Sequence, residues 1–180
     1  MKKAIDFIKP AAILLAVAAV VALVLGLVDL LTRDTIRRNA EEKTTQAMQA
    51  VLPADSYEAV PLTDDAGVDA AYKAAGGGWV VQVTESGSQG SITLMVGVDT
   101  DLTCTGISVT QSSETAGLGA IASQASTAGD NFRAQFVGQT YPVAVTKDGG
   151  DIDALTGATI TSRAISNGVT AALALCETLA

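Results

Sequence analysis

The sequence predicts an α+β protein: a single N-terminal transmembrane helix followed by a domain with an antiparallel sheet and flanking helices. Three observations support this class. The 18 residues Ala11–Val28 are uncharged and almost wholly apolar. The C-terminal segment Ser162–Leu179 repeats apolar residues at helical spacing. Between them lie three runs with the composition of strands, which are Trp79–Thr84, Ser91–Val98 and Thr105–Thr110.

The apolar run is long enough to cross a bilayer. About 20 residues at ~1.5 Å per residue span a hydrocarbon core of ~30 Å. Residues 11–31 are therefore predicted as the membrane helix and residues 1–10 as an N-terminal tail. A cleaved signal peptide is the competing interpretation, because Lys2 and Lys3 form a basic start, but its apolar region would be only about 7–15 residues long. Basic residues flank the run on both sides, so charge alone leaves its orientation undecided.

Composition excludes several classes of function. The chain has 11 Lys+Arg against 19 Asp+Glu, a formal net charge of −8, and no basic patch that would bind nucleic acid. The absence of histidine excludes histidine-dependent catalysis and His-ligated zinc or haem. Two cysteines cannot hold an iron–sulfur cluster or a structural zinc ion alone, so we expect no metal site. Cys104 and Cys176 are expected to be buried free thiols rather than a disulfide.

The remaining segments complete the predicted organisation. Thr32–Val51 has apolar residues at three- and four-residue steps, and Pro53 ends the helix. This helix with the Ala/Gly-rich linker Pro61–Gly78 makes residues 32–78 a helical stalk and linker, which leaves 79–180 as the folded domain. Within that domain Ala120–Ala128 is predicted as a short helix and Tyr141–Thr146 as a further strand.

The segment before the last helix has two interpretations from its local chemistry. A loop with a Thr or Ser helix cap explains the residues 151–162. Alternatively, Gly157 and Ala158 leave the backbone approachable, and Thr159 stands just before a helix N-terminus, where free N–H groups favour a phosphate.

The residues Thr156-Gly157-Ala158-Thr159, preceded by Asp153, resemble the D-x-x-[ST]-G-A-T signature of the FMN-binding domain in RnfG, the G component of the Rnf complex. The C component of the sodium-translocating NADH:quinone oxidoreductase carries a similar domain. The resemblance implies that Thr159 is esterified to the phosphate of FMN by a dedicated flavin transferase. The resemblance gives Asp153 a role in positioning the attachment segment, whereas its local alternative is only to form the turn. The hydroxyls of Thr156 and Thr161 can donate hydrogen bonds to phosphate oxygens, but a helix cap explains Thr161 equally well.

A second motif strengthens this resemblance, which covers about Trp79 to Leu179. Glu114-Thr115-Ala116-Gly117-Leu118-Gly119 is similar to the family's E-T-P-G-L-G loop, with Ala116 in the place of the usual proline. The resemblance implies that this loop lies beside the flavin ring. The cofactor-binding residues predicted from it are Glu114, Thr115, Gly117, Leu118 and Gly119.

The function that the resemblance implies is an electron relay without catalytic residues of its own. The whole complex would couple electron transfer between reduced ferredoxin and NAD to transport of Na⁺ or H⁺. The partners would be the other proteins of the Rnf complex and, for maturation, the flavin transferase. The chain would be a single-pass protein of the cell (inner) membrane with a cytoplasmic tail and an extracytoplasmic C-terminal domain. A stand-alone anchored FMN-binding reductase and the C component of the NADH:quinone enzyme are the alternatives.

Overall fold

The structure of the protein, a computed structural model, describes residues 2–62 and 67–180. Five strands form one antiparallel sheet in chain order, and helices lie before and after it, as predicted. Met1 of the predicted tail and residues 63–66 of the predicted linker lie outside the described residues. The elements are α1 (Lys2–Val51), β1 (Tyr57–Val60), β2 (Ala70–Ala74), β3 (Trp79–Ser86), β4 (Ser91–Val98), β5 (Cys104–Ser112), α2 (Thr127–Ala134) and α3 (Thr159–Leu179).

The chain divides into two compact units, Met1–Glu42 and Lys43–Ala180. The first consists of most of α1. In the described part of the chain, α1 is the one helix long and apolar enough to cross a membrane. Its large apolar side chains from Ile13 to Leu31 are 50% to 73% exposed within the protein. So much exposed apolar surface on a monomer is typical of a surface that contacts lipid or another protein.

Within the second unit, the end of α1 covers one face of the sheet. The helix ends at Val51, two residues before Pro53, as predicted. The Thr105 hydroxyl on β5 donates a hydrogen bond of 2.5 Å to the carbonyl of Val51 and so fixes the helix end. The residues that form this smaller core are Ala47, Met48 and Val51 from the helix with Val80 and Met95 from the sheet.

Helix α3 packs on the opposite face of the sheet. Because side chains alternate along a strand, Ile92, Leu94 and Val96 of β4 point toward the larger core that contains α3. The helix begins at Thr159, three residues earlier than predicted. Its predicted apolar face is confirmed, since the side chains of Ile165, Val169, Ala172, Leu173 and Cys176 are all fully buried.

Both cysteines are buried free thiols, as predicted. Burial raises the pKa of the Cys104 thiol to about 11, and burial likewise raises the pKa of Cys176 to about 12. Both groups therefore stay protonated at neutral pH and act as small apolar side chains of the core.

The prediction of a linker over residues 61–78 is wrong for residues 70–74. These residues form β2, which pairs with β1 on one side and β3 on the other. The buried members of β2 are the alanines Ala71 and Ala74. Their small side chains gave an alternation too weak to distinguish from an Ala/Gly-rich linker.

Two further predictions in the second half of the domain need correction. The helix predicted at Ala120–Ala128 is instead a 3₁₀ turn at Gly119–Ser123, and α2 begins only at Thr127, because the Ser126 hydroxyl caps it. The segment Tyr141–Thr146 is not a strand. Its Val143 backbone N–H and carbonyl are satisfied by the Thr170 hydroxyl of α3, which replaces a strand partner.

We expect Phe136→Ala to lower the free energy of unfolding by about 3–5 kcal/mol. The Phe136 ring is fully buried and meets Phe132 edge-on, with ring centroids 5.4 Å apart. Val137→Ala is the matched control, because the neighbouring Val137 is 56% exposed and should change stability by at most about 0.5 kcal/mol. Urea unfolding of the detergent-solubilised chain measures the change in the free energy of unfolding for both substitutions. Equal effects of the two substitutions would contradict the described packing.

Candidate functional site

A cleft of about 350 Å³ opens at the end of the sheet where β3 and β5 finish. It lies where the turn between β3 and β4, the loop after β5 and the first turn of α3 meet. A volume of this size, with a few polar groups among apolar ones, is in the range of ligand sites. The lining residues are Ser88, Gln89, Glu114, Thr115, Leu118, Gly119, Lys147, Gly157, Ala158, Thr159, Ile160 and Thr161.

The cleft brings together the two sequence motifs, which are about 40 residues apart. Among the described residues, three predicted site residues do not line it: Gly117, Asp153 and Thr156. The seven that do are Glu114, Thr115, Leu118, Gly119, Gly157, Ala158 and Thr159.

The Glu114 carboxylate connects the three segments around the cleft. One oxygen, Oε1, accepts hydrogen bonds from the backbone N–H groups of Ser88 at 2.8 Å and Gln89 at 3.0 Å. The other oxygen, Oε2, accepts the hydroxyl of Thr161 in α3 at 2.5 Å. Burial by itself raises the pKa of Glu114, but the hydrogen bonds from Gln89, Thr161 and Ser88 outweigh it and hold the pKa below its usual value.

Two motif glycines are explained by close contacts between these segments. A Cβ on Gly119 would lie 2.5 Å from both Glu114 Oε2 and Thr161 Oγ1, so a side chain there would break their hydrogen bond. Gly157 has a φ of +75° and lies against Leu118, whose Cδ2 would be 3.1 Å from an added Cβ. The two motifs therefore contact each other directly.

The attachment motif is held as a tight turn against the start of α3. The Ala158 N–H donates to the Leu155 carbonyl at 2.9 Å, and Gly157 takes the left-handed conformation that such a turn favours. The buried Ser162 hydroxyl accepts the Leu155 N–H and donates to the Ala158 carbonyl, both at 3.0 Å. These bonds fix the backbone next to Thr159.

Thr159 is the first residue of α3 and is half-buried. The residue before the helix is Ala158, so no side chain caps its N-terminus. The hydroxyl of Thr161 does not cap the helix and donates to Glu114. The Nζ of Lys147 donates a hydrogen bond of 3.2 Å to Thr159 Oγ1. The candidate hydroxyl thus lies beside an uncapped helix N-terminus and a cation.

Asp153 is exposed and lies outside the lining of the cleft. Its backbone is fixed by Gln135, which accepts the Asp153 N–H at 2.7 Å and donates to the Asp153 carbonyl at 3.3 Å.

Sequence reasoning missed Ser88, Gln89, Lys147 and Ile160 as lining residues. One signal for Lys147 was available: Arg133, Lys147 and Arg163 are the only basic residues between positions 79 and 180. Ser88 and Gln89 meet the cleft through a hairpin turn and carry no sequence signal of their own.

Comparison with known proteins agrees with this architecture. Residues 87–174 match the family model of the FMN-binding domain, and residues 1–51 match that of the RnfG N-terminal region. Fold and site thus define an FMN-binding-domain protein that carries an N-terminal membrane-type helix.

Similar proteins identify the family. In Methanosarcina acetivorans, the G component of an ion-translocating oxidoreductase complex is 35% identical over 84% of this chain and 85% of its own length. In Acetobacterium woodii, the G component of a Na(+)-translocating ferredoxin:NAD(+) oxidoreductase complex is 34% identical over 93% of this chain and 90% of its own length. The chain belongs to the RnfG family, which supplies the G component of Rnf-type ion-translocating oxidoreductase complexes.

We expect Glu114→Gln to lower the free energy of unfolding at pH 7 by about 1–2 kcal/mol, because hydrogen bonds to a charged acceptor are lost. The folded-state pKa of Glu114 lies below its ordinary value of 4.5, so this stabilisation is fully present above pH 4.5 and is lost as the pH falls through the lowered pKa. Unfolding curves of wild type and variant should converge in that acidic range.

Glu177→Gln, at an exposed position of α3, is the control and should change the free energy of unfolding by at most about 0.5 kcal/mol. If Glu114→Gln remained less stable than wild type by the same amount in acid, below the lowered pKa, the charge of the carboxylate would not contribute to the free energy of unfolding.

Proposed function

We propose that the chain carries FMN in this cleft, covalently bound through Thr159, and relays electrons within an Rnf-type ferredoxin:NAD oxidoreductase complex coupled to Na⁺ or H⁺ transport. The observation that carries the proposal is the convergence of both family motifs on one cleft, with the Thr159 hydroxyl in its lining. Family membership supplies the context of the complex, since the similar proteins are named as its G component.

The residues of the cleft fit FMN by their chemistry. Leu118 and Ile160 are large apolar side chains that are 43% and 56% exposed, which suits them to contact a flat apolar ring. Polar backbone and hydroxyl groups lie in the same cleft at Ser88, Gln89 and Thr115. The uncapped start of α3 suits a phosphate.

Bound FMN would supply the redox chemistry, whereas the chain supplies position. Glu114 keeps the two motifs together, Ser162 fixes the turn before Thr159, and neither needs to exchange protons for this purpose. The described residues hold no group of three or more Cys, Asp or Glu side chains that could bind a metal ion. We propose the chain as a redox subunit that is not catalytic alone, because the similar proteins are named as one component of an oxidoreductase complex.

Attachment through Thr159 would form one bond, from Oγ1 to the phosphorus of FMN. It would break the bond between that phosphorus and the leaving group of an activated flavin donor, and the hydroxyl proton would be released. The resulting phosphodiester carries one negative charge. A covalent bond keeps the flavin in place whatever the free flavin concentration, which suits a domain outside the cell.

The topology that accompanies this function places residues 11–31 across the membrane. Residues 1–10 form the cytoplasmic tail. Residues 32–78 contain the helical stalk together with β1 and β2 of the sheet, and 79–180 form the rest of the covalent-FMN-binding domain outside the cytoplasm. The match of residues 1–51 to the RnfG N-terminal region favours this assignment over a stand-alone reductase. The names of the similar proteins favour RnfG over the C component of the NADH:quinone enzyme.

Thr159→Ala is expected to abolish covalent flavin, because the hydroxyl that would carry the ester is lost. The full chain is co-expressed with a flavin transferase, and flavin fluorescence is read on a denaturing gel. Thr140→Ala is the matched control, since Thr140 is exposed and lies outside both motifs and the cleft lining. It should fluoresce like wild type, as should Thr159→Ser. A fluorescent Thr159→Ala band would refute the attachment site.

The orientation predicts that protease added to intact spheroplasts digests the domain 79–180. Its extracytoplasmic side makes it accessible without lysis. A cytoplasmic marker protein, followed in the same samples, should stay intact. Protection of residues 79–180 until the spheroplasts are lysed would reverse the proposed orientation.

A further inference from the structure

We propose that Lys147 is the phosphate-binding cation of this site and that the Asp148–Arg163 ion pair positions it. The inference rests on the proposed function, because it concerns how the chain would hold the phosphate of FMN. It adds a binding residue that neither family motif contains.

The contact with Thr159 places Lys147 at the attachment point. Its Nζ donates to Thr159 Oγ1 at 3.2 Å, and the side chain lines the same cleft. An ester on Oγ1 would put the phosphate oxygens close beyond that atom, within reach of the same ammonium. A hydrogen bond between an ammonium and a phosphate oxygen is charge-assisted and stronger than a neutral one.

The charge distribution leaves Lys147 available for an anion. Residues 79–180 contain three basic and nine acidic residues, so the domain repels a free phosphate at long range. Arg133 pairs with Asp130, and Arg163 pairs with Asp148. In the described part of the chain, Lys147 makes no salt bridge, although after Arg163 it also helps to lower the pKa of Asp148. The one base of this acidic domain that the described residues do not hold in a salt bridge therefore lies at the candidate attachment hydroxyl.

The ion pair beside Lys147 explains why its side chain reaches Thr159. Lys147 lies in a single 3₁₀ turn, Thr146–Asp148. Arg163, one turn into α3, donates through Nε and an Nη to the two carboxylate oxygens of Asp148, both at 2.6 Å. This two-pronged contact fixes the turn against the same helix that begins with Thr159. Arg163 thus acts as a positioning residue.

The full chain is produced without the transferase and held in detergent micelles at low ionic strength. Affinities for FMN and for riboflavin, which lacks the phosphate, are measured by quenching of flavin fluorescence. Lys147→Met removes the charge, and Lys147→Arg keeps it. Lys73→Met is the control, because Lys73 is an exposed lysine on β2 that lines a different pocket. Arg163→Gln tests the positioning.

Wild type is expected to prefer FMN over riboflavin by about tenfold, the contribution of one exposed charge-assisted hydrogen bond. Lys147→Met should lose most of this preference with unchanged riboflavin affinity, because only the helix N-terminus then remains to bind the phosphate. Arg163→Gln should reduce the preference, and Lys147→Arg and Lys73→Met should retain it. A Lys147→Met chain that keeps the preference would overturn the assignment, and an unaffected Arg163→Gln would overturn the positioning role.

If wild type binds neither flavin measurably without the transferase, the rate of covalent flavinylation tests the role of Lys147 instead. Lys147→Met should then react about tenfold more slowly than wild type, and Lys147→Arg should restore the rate. An equal rate would refute the role of Lys147. A wild-type chain that stays dark after treatment with the transferase would instead refute the proposed function, and the inference with it.

Discussion

The geometry of the cleft depends on the Glu114 carboxylate. Its two oxygens accept hydrogen bonds from backbone N–H groups of the β3–β4 turn and from the hydroxyl of Thr161. One side chain therefore holds together three segments that are distant in the sequence. The space for this arrangement exists because Gly119 has no Cβ. The family resemblance assigned Glu114 to the flavin ring. In the structure Glu114 lines the cleft, and its carboxylate also keeps the two motifs in contact.

The position of Thr159 depends in turn on how α3 is packed. The sheet has buried side chains on both faces, and α3 covers one of them with a side that is partly polar in its first two turns and apolar from Val169 to Cys176. Gly168 lets the helix approach β4, since an added Cβ there would lie 3.0 Å from Leu94 Cδ2. Because the body of the helix is fixed in this way, its first turn is fixed too. A rigid element thus presents the hydroxyl, which is the arrangement that a precisely positioned cofactor requires.

The sequence predicted those features that depend on strong local patterns. The end of α1 before Pro53 was predicted correctly. The two motifs could be identified because each is a contiguous segment beside a regular element, and in the structure they meet in one cleft. The errors arose where tertiary contacts replaced a local signal. The segment 141–146 satisfies its backbone through the Thr170 hydroxyl rather than through a strand, and β2 buries only alanines. Lys147 was missed because its contact with Thr159 exists only once the turn that carries it has packed on α3.

The central claim is that this cleft carries FMN on Thr159, and mass spectrometry of the chain purified with its native complex tests it most directly. Cleavage after Lys147 and Arg163 releases the peptide 148–163, which contains Thr156, Thr159 and Thr161 together. We expect this peptide to be heavier by one FMN less one water, with fragmentation locating the added mass on Thr159. An unmodified peptide, or FMN on either of the other two threonines, would contradict the claim.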